Sequence, residues 1–145
     1  MDSFVKYINE AKKPNIPTVK RESYGQELII DMHDVPTEFF TKKNIRQFAE
    51  QLCDEIKMKR GPFHLWGEEK DLHKAKTGEG AIKADGISCV QFLYSSSITI
   101  HALDEINKVF INVFSCNKFD VKKARAFAEK NINGKIVSIH NIIRK

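Results

Sequence analysis

The chain has 145 residues, of which 41% are hydrophobic and 30% charged, with a formal net charge of +5 at pH 7. This composition is typical of one small globular domain and excludes a wholly disordered chain. No run approaches the roughly eighteen apolar residues of a membrane helix. The first thirteen residues are mixed in charge and lack the apolar stretch of a signal peptide, so we expect a cytoplasmic protein without a membrane partner.

Charge and cysteine usage exclude two further classes of function. The basic residues are spread in short groups along the chain, whereas nucleic-acid binding needs them on one face with aromatic platforms between them. No nucleic-acid partner is therefore expected. Cys53, Cys89 and Cys116 show no CxxC or Cys/His spacing, so they are expected to be reduced thiols, and no metal site is predicted.

The N-terminal half contains two predicted helices and two predicted strands. Met1–Lys13 has the apolar spacing of a short amphipathic helix, and Glu27–His33 alternates apolar and polar residues like a strand with one buried side. Lys43–Met58 repeats apolar residues at helical spacing, with Thr41 as a candidate N-cap. A short strand over Phe63–Trp66 is expected to lead into an exposed loop that extends to residue 86.

The C-terminal half favours consecutive strands followed by a helix and a last strand. Ile87–Tyr94, Ser97–Leu103 and Lys108–Ser115 are strand-like runs with short connections, which favours an antiparallel meander. Asp120 is a candidate cap for a helix over residues 121–131, which Gly134 would close, and residues 135–143 form a final strand. This order predicts an α+β fold: a two-layer sandwich, mainly antiparallel sheet with helices on one face.

A group of chemically useful side chains lies on the predicted meander. Adjacent strands could gather these residues into one pocket: Ser88, Ser96, His101, Glu105 and Cys116. The serine run at residues 95–97 falls at a strand junction. A serine in a strained turn can attack the carbonyl before it, form an ester and eliminate, which leaves a new chain beginning with a pyruvoyl group. His101 and Cys116 are candidates for the base and the proton donor.

Each of these residues also has a plain structural interpretation. A triple serine is more often a polar turn, and a histidine between apolar neighbours is more often half-buried and satisfied than catalytic. Cys116 alone would be read as a small buried hydrophobe, and Glu105 as a solvent-facing acid. Trp66, the only tryptophan, would by default be a core or partly covered residue. Only the spacing of these residues taken together favours a functional interpretation over the structural one.

That spacing resembles the bacterial and archaeal type of S-adenosylmethionine decarboxylase, a pyruvoyl-dependent family. In the family a serine lies eight positions before the pyruvoyl-forming serine, and a histidine, an acid and a cysteine lie five, nine and twenty after it, which matches Ser88, His101, Glu105 and Cys116 around Ser96. The segments TIH, NVFSC and GQELIIDMHDVP are also similar to family motifs. The resemblance covers residues 25–144, so residues 1–24 are interpreted as an N-terminal extension and 25–145 as the family-like domain.

The resemblance implies a maturation reaction and a cofactor. Self-cleavage between Ser95 and Ser96 would generate the pyruvoyl group from Ser96. Ser88 would hold the oxygen of the ester-forming intermediate, and His101 would remove the Cα proton of Ser96. In the family two such processed protomers form a homodimer.

The same resemblance implies roles in decarboxylating S-adenosylmethionine, whose product feeds spermidine synthesis. Cys116 would return a proton to the substrate carbon after carbon dioxide leaves. Glu105 would accept hydrogen bonds from the ribose hydroxyls, and Phe63 or Trp66 would stack on adenine or face the sulfonium.

The chain departs from the family at the cleavage site. The family usually cleaves at Glu-Ser-His, whereas this chain reads Ser95-Ser96-Ser97, and Leu103 stands where the family commonly has tryptophan. Unrelated pyruvoyl decarboxylases mature at Ser-Ser bonds, so the chemistry is compatible with this sequence. Two alternatives stay open: a pyruvoyl decarboxylase of arginine or ornithine with the same fold, and a binding or regulatory homologue that never self-cleaves.

Overall fold

A computed structural model describes residues 23–78, 80 and 86–145 of the chain. The predicted helix Met1–Lys13 lies outside these residues. Within the described ranges, six strands belong to one sheet: β1 (Gly25–His33), β2 (Arg60–Gly67), β3 (Ile87–Leu93), β4 (Ser96–Leu103), β5 (Lys108–Ser115) and β6 (Lys135–Arg144). The α-helices are α1 (Lys42–Glu55), α2 (Leu72–Thr77) and α3 (Val121–Ile132).

The strand order is β2-β3-β4-β5-β1-β6, and every neighbouring pair is antiparallel. Strands β3, β4 and β5 form the predicted meander, which β2 extends on one side. Strand β1 pairs with both β5 and β6, so it lies inside the sheet although it comes first in the sequence. The predicted α+β sandwich with a mainly antiparallel sheet is confirmed.

The hydrophobic core lies on one face of the sheet, beneath α1 and α3. Alternation along β4 shows why, because Ile98, Ile100 and Ala102 are at most 1% exposed while the residues between them face the other way. We call that other side the open face, since neither α1 nor α3 packs on it. The open face carries the residues of the central strands that alternate with the core-facing ones: Glu27, Ile29, Asp31, Ser88, Val90, Phe92, Ser97, Thr99, His101, Phe110, Asn112 and Phe114. We say that such residues have the parity of the open face.

Both predicted N-caps of the long helices are confirmed. The Thr41 hydroxyl accepts a hydrogen bond from the Asn44 backbone N–H at 3.1 Å. The Asp120 carboxylate accepts one from the Lys123 backbone N–H, also at 3.1 Å. Each cap satisfies a backbone donor that the first helical turn leaves without a partner.

The predicted C-terminal ends of these helices are wrong by a few residues. Helix α1 stops before Met58, because Lys57 adopts a left-handed φ of 57° and the Met58 N–H returns to the Cys53 carbonyl at 2.8 Å. This geometry closes the helix without glycine. Likewise Asn133, with φ 57°, ends α3 in place of the predicted Gly134, since asparagine tolerates the left-handed region.

The prediction of an exposed loop after β2 is wrong for Leu72–Thr77, which forms the short helix α2. Asp71 starts it by accepting hydrogen bonds from the backbone N–H groups of His73 and Lys74, each at 3.1 Å. Gly78 ends it with φ 70°. The capping signal was therefore present in the sequence, but the segment is short and has no apolar repeat.

Candidate active site

The serine run begins in the turn between β3 and β4, which consists of Tyr94 and Ser95. Ser95 has φ 59°, in the left-handed region. This conformation costs a non-glycine residue about 1–2 kcal/mol. The acyl side of the Ser95–Ser96 peptide bond, the bond predicted to be cleaved, is therefore held in a strained conformation.

Ser96 lies at the first position of β4 and contacts Cys116, which follows the end of β5. The Ser96 Oγ accepts a hydrogen bond from the Cys116 backbone N–H at 3.1 Å and lies 3.7 Å from the Cys116 Sγ. Both side chains are half-buried. Antiparallel pairing of Ser97 with Phe114 brings the start of β4 beside the end of β5, so the sheet register creates this contact.

The Ser96–Cys116 pair lines a cavity of about 250 Å³. The C-terminal end of α1, the β3–β4 turn and the segment after β5 enclose it: Ile56, Lys57, Met58, Lys59, Leu93, Tyr94, Ser96, Ser115, Cys116, Asn117 and Lys118. Three lysines among these residues give the cavity a basic rim. Lys57 and Lys59 share one short basic run and Lys118 stands alone between Asn117 and Phe119, so no sequence pattern indicates this rim.

A second pair of predicted site residues lies on the open face. The Ser88 Oγ and the His101 Nδ1 are 2.8 Å apart, and the two residues are direct partners across β3 and β4. Trp66 is the partner of Ser88 on β2, and its side chain is 84% exposed. Directly opposite residues share a face of the sheet, so Trp66, Ser88 and His101 form one row.

The structure does not gather the two pairs into one pocket of a single chain. Ser96 has the parity of the core-facing residues of β4, whereas His101 faces the open side. The two residues are five positions apart, or roughly 16 Å along a strand that rises about 3.3 Å per residue. The expected single pocket is thus replaced by two separate pairs, one on each face of β4.

The other predicted site residues are distributed between these regions. Glu105 is exposed in a 3-10 turn, Asp104–Ile106, which joins β4 to β5 near the His101 end. Its neighbour Asp104 is buried, and neither carboxylate oxygen has a hydrogen-bond partner among the described residues. Phe63 is half-buried, with the Arg46 guanidinium 5.1 Å from the centre of its ring.

The three cysteines differ in their exposure. Burial raises the pKa of the Cys53 and Cys89 thiols to about 12. At pH 8 only about one in ten thousand of such thiols is ionised. Cys116 is half-buried and lines the cavity.

We therefore expect the native protein to react rapidly with one equivalent of a thiol reagent at pH 8, at Cys116. After unfolding, all three thiols should react. Reagent uptake followed by absorbance, with peptide mapping of the modified cysteine, measures this difference. Equal reaction rates of the three thiols in the native protein would contradict the assignment.

The described residues show neither a metal-binding cluster nor a membrane-spanning helix. These residues contain no group of three or more His, Cys, Asp or Glu side chains placed to hold a metal ion. In the same part of the chain, no helix has the length and apolar character needed to cross a membrane.

Comparisons with known proteins support the resemblance drawn from the sequence. The crystal structure of adenosylmethionine decarboxylase from Aquifex aeolicus VF5 has a similar fold, with a TM-score of 0.62 and 17% sequence identity, over 86% of this chain and 91% of that chain. No curated protein sequence matches significantly. Residues 26–145 match the family model of S-adenosylmethionine decarboxylase. The chain therefore belongs to the S-adenosylmethionine decarboxylase family.

Proposed function

We propose that the protein is a pyruvoyl-dependent S-adenosylmethionine decarboxylase that matures by cleaving its own Ser95–Ser96 bond and supplies decarboxylated S-adenosylmethionine for spermidine synthesis. One observation carries the proposal. In a chain of this family, the Ser96 hydroxyl lies between a strained Ser95 and the thiol of Cys116 at the wall of a cavity.

The local fold is compatible with a pyruvoyl group at residue 96. Cleavage would open only the two-residue turn, because β3 and β4 remain paired from Ile87–Ala102 to Leu93–Ser96. The new chain terminus would therefore stay at the end of β4. Cys116 would remain beside it, since β5 is paired independently with β4 and β1.

Maturation requires a nucleophile, an acceptor and a base. The Ser96 Oγ attacks the Ser95 carbonyl and displaces the Ser96 nitrogen, which converts the peptide bond to an ester. A base then removes the Cα proton of Ser96, and the ester oxygen leaves with the Ser95 carboxylate. Water adds to the dehydrated residue 96 and ammonia departs, which leaves the pyruvoyl terminus.

The residues near the cavity have separate tasks during turnover. The pyruvoyl carbonyl supplies an electron sink for the loss of carbon dioxide from the substrate. The Cys116 thiol, which lies 3.7 Å from the Ser96 Oγ in the uncleaved chain, would give a proton to the substrate carbon. Glu105 and Trp66 are proposed to bind the ribose and the adenine. Both lie at the His101 end of β4.

We also propose a homodimer, because the described part of the chain does not bring its predicted base, His101, close to Ser96. A hydrogen bond of 2.8 Å joins Ser88 and His101. Both residues lie on the open face, and His101 is five positions along β4 from Ser96. A second protomer could place its own pair beside the first protomer's cavity. His101 would then act as the base and Ser88 as the oxygen ligand across the interface.

A mixed-dimer experiment tests this arrangement. Ser96→Ala and His101→Ala chains, with different tags, should each stay intact when produced alone. When they are co-produced, the hybrid dimer contains one complete site, so the His101→Ala chain should be cleaved. Mass spectrometry of the separated tagged chains gives the result. An intact His101→Ala chain in purified hybrids, under conditions that cleave the wild type, would assign both halves of the site to one protomer.

A second candidate substrate is favoured by the cavity size and by the cleavage-site sequence. A cavity of about 250 Å³ lies below the roughly 300–1,000 Å³ of pockets for drug-sized ligands. The Ser95–Ser97 run and Leu103 also depart from the family pattern. Arginine or ornithine would need less space than a nucleoside.

Release of carbon dioxide from carboxyl-labelled substrates distinguishes the candidates. The proposed function predicts release from S-adenosylmethionine in the cleaved wild type and none in its Ser96→Ala variant. Release from arginine or ornithine alone would replace the proposed substrate. An uncleaved chain that is inactive on all three compounds and binds a partner protein would support a binding or regulatory homologue.

A further inference from the structure

The segment that carries Cys116 packs directly on the start of β1. Gln26 of β1 is the antiparallel partner of Ser115, the last residue of β5. At Gly25, an added Cβ would lie 2.1 Å from the Ser115 carbonyl oxygen and 3.0 Å from the Cys116 Cα. Glycine therefore permits a backbone approach that places β1 against the residue proposed to deliver the proton.

The buried side chain of Gln26 forms a hydrogen bond with this segment. It is only 5% exposed, and its Oε1 accepts a hydrogen bond from the Phe119 backbone N–H at 3.2 Å. Its Nε2 donates to the Asn141 Oδ1 of β6 at 2.8 Å. One buried amide thus ties the segment after β5 to two other strands.

A second buried group shapes the same segment. The Ser115 Oγ, in a residue that is 1% exposed, accepts a hydrogen bond from the Asn117 backbone N–H at 3.0 Å. Cys116 lies between these two residues, and its own N–H donates to the Ser96 Oγ. The backbone is therefore held on both sides of the thiol.

We propose that Gln26 is a positioning residue that keeps the Cys116 thiol at residue 96, an inference that rests on the proposed function. The burial of an amide is costly unless both of its ends are paired, and an apolar side chain would fill the same space without that cost. One hydrogen bond of Gln26 reaches the Cys116 segment at the Phe119 N–H, and the other holds the same amide to Asn141 of β6. Their loss should free the thiol and slow proton delivery.

The test compares Gln26→Met with Gln91→Met. Methionine has nearly the shape of glutamine but makes neither hydrogen bond. Gln91 is the matched control, because it is 1% exposed and, within the part of the chain that the structure describes, its amide donates only to the backbone carbonyls of Gly61, Pro62 and Phe92. Both variants lose a buried amide, but only one loses contact with the Cys116 segment.

For Gln26→Met we expect Cys116 alkylation about tenfold faster and kcat about tenfold lower, the combined effect of two lost hydrogen bonds, with KM nearly unchanged. In Gln91→Met, the rate of Cys116 alkylation and kcat should both stay within about twofold of the wild-type values, even if its Tm falls as much as that of Gln26→Met. Gln26→Glu retains an acceptor for the Phe119 N–H and should recover part of the slow alkylation.

Equal alkylation rates in Gln26→Met and Gln91→Met, compared in the same processing state, would overturn the positioning role. A normal kcat in Gln26→Met would overturn it as well. Alkylation of Cys116 needs no pyruvoyl group and no substrate. A protein that never cleaves would therefore refute the proposed function while the alkylation rates still decide whether Gln26 holds the Cys116 segment.

Discussion

Ser96→Ala is expected to abolish both chain cleavage and decarboxylation. Alanine has no hydroxyl to attack the Ser95 carbonyl, so neither the ester nor the pyruvoyl terminus can form. The variant should fold, because Ser96 is half-buried at a strand end and its hydroxyl bonds only to Cys116 among the described residues. Denaturing gels of the purified variant and carbon dioxide release from labelled substrate measure the two losses.

Ser97→Ala is the matched control for this change. Ser97 belongs to the same serine run, but it has the parity of the open face and pairs with Phe114. The Ser97→Ala variant should be cleaved to the same extent as the wild type. Wild-type activity in Ser96→Ala, or loss of cleavage in Ser97→Ala alone, would move the reacting serine away from residue 96.

Cys116→Ala is expected to cleave yet to lose at least about a hundredfold in kcat, since a positioned proton donor typically contributes 10²–10⁴-fold. Ser96 keeps its hydrogen bond to the backbone N–H of residue 116, which does not depend on the thiol. Without the thiol, the proton should in some turnovers go to the Cα of residue 96 and not to the substrate carbon. The substrate nitrogen then stays bonded to residue 96, which becomes an N-terminal alanine. Water releases the rest of the substrate as an aldehyde.

N-terminal sequencing after turnover detects that alanine, and steady-state kinetics give kcat. Cys89→Ala is the control, because Cys89 is buried and burial raises the pKa of its thiol to about 12. It should lower thermal stability and leave kcat near the wild-type value. A Cys116→Ala variant with unchanged kcat and no terminal alanine would show that another group delivers the proton.

The sheet could be predicted from the sequence because its signals are local. Strand β4 alternates in sequence, β3 and β5 are strand-like runs, and short connections join the three, so their order and antiparallel pairing follow from short-range patterns. The same pairing places Ser88 opposite His101 and brings Ser96 to Cys116. The Ser88–His101 and Ser96–Cys116 contacts therefore agree with the antiparallel meander that the sequence predicts.

The separation of these two pairs follows from the same alternation, but motif spacing alone does not show it. Ser96 and His101 are an odd number of residues apart on one strand, which directs them to opposite faces. A family spacing suggests which residues act together, but not whether they belong to one chain. The alternation along β4 is the physical reason for proposing that the two pairs meet across two protomers.

Other parts of the site depend on contacts between distant segments of the chain. Gln26 in β1 meets Ser115 and Phe119 only because β1 enters the sheet beside β5. The burial of Asp104 is equally invisible in a sequence where it stands next to the exposed Glu105. No periodic pattern marks these positions, since each depends on the packing of elements far apart in sequence.

The most direct test of the proposed function is an intact-mass spectrum of the purified wild-type protein, which needs no substrate. The account predicts two chains, residues 1–95 with an ordinary C-terminus and residues 96–145 with a pyruvoyl group in place of Ser96. A single chain with the full mass of the sequence would contradict self-cleavage at Ser95–Ser96 and with it the proposed enzyme.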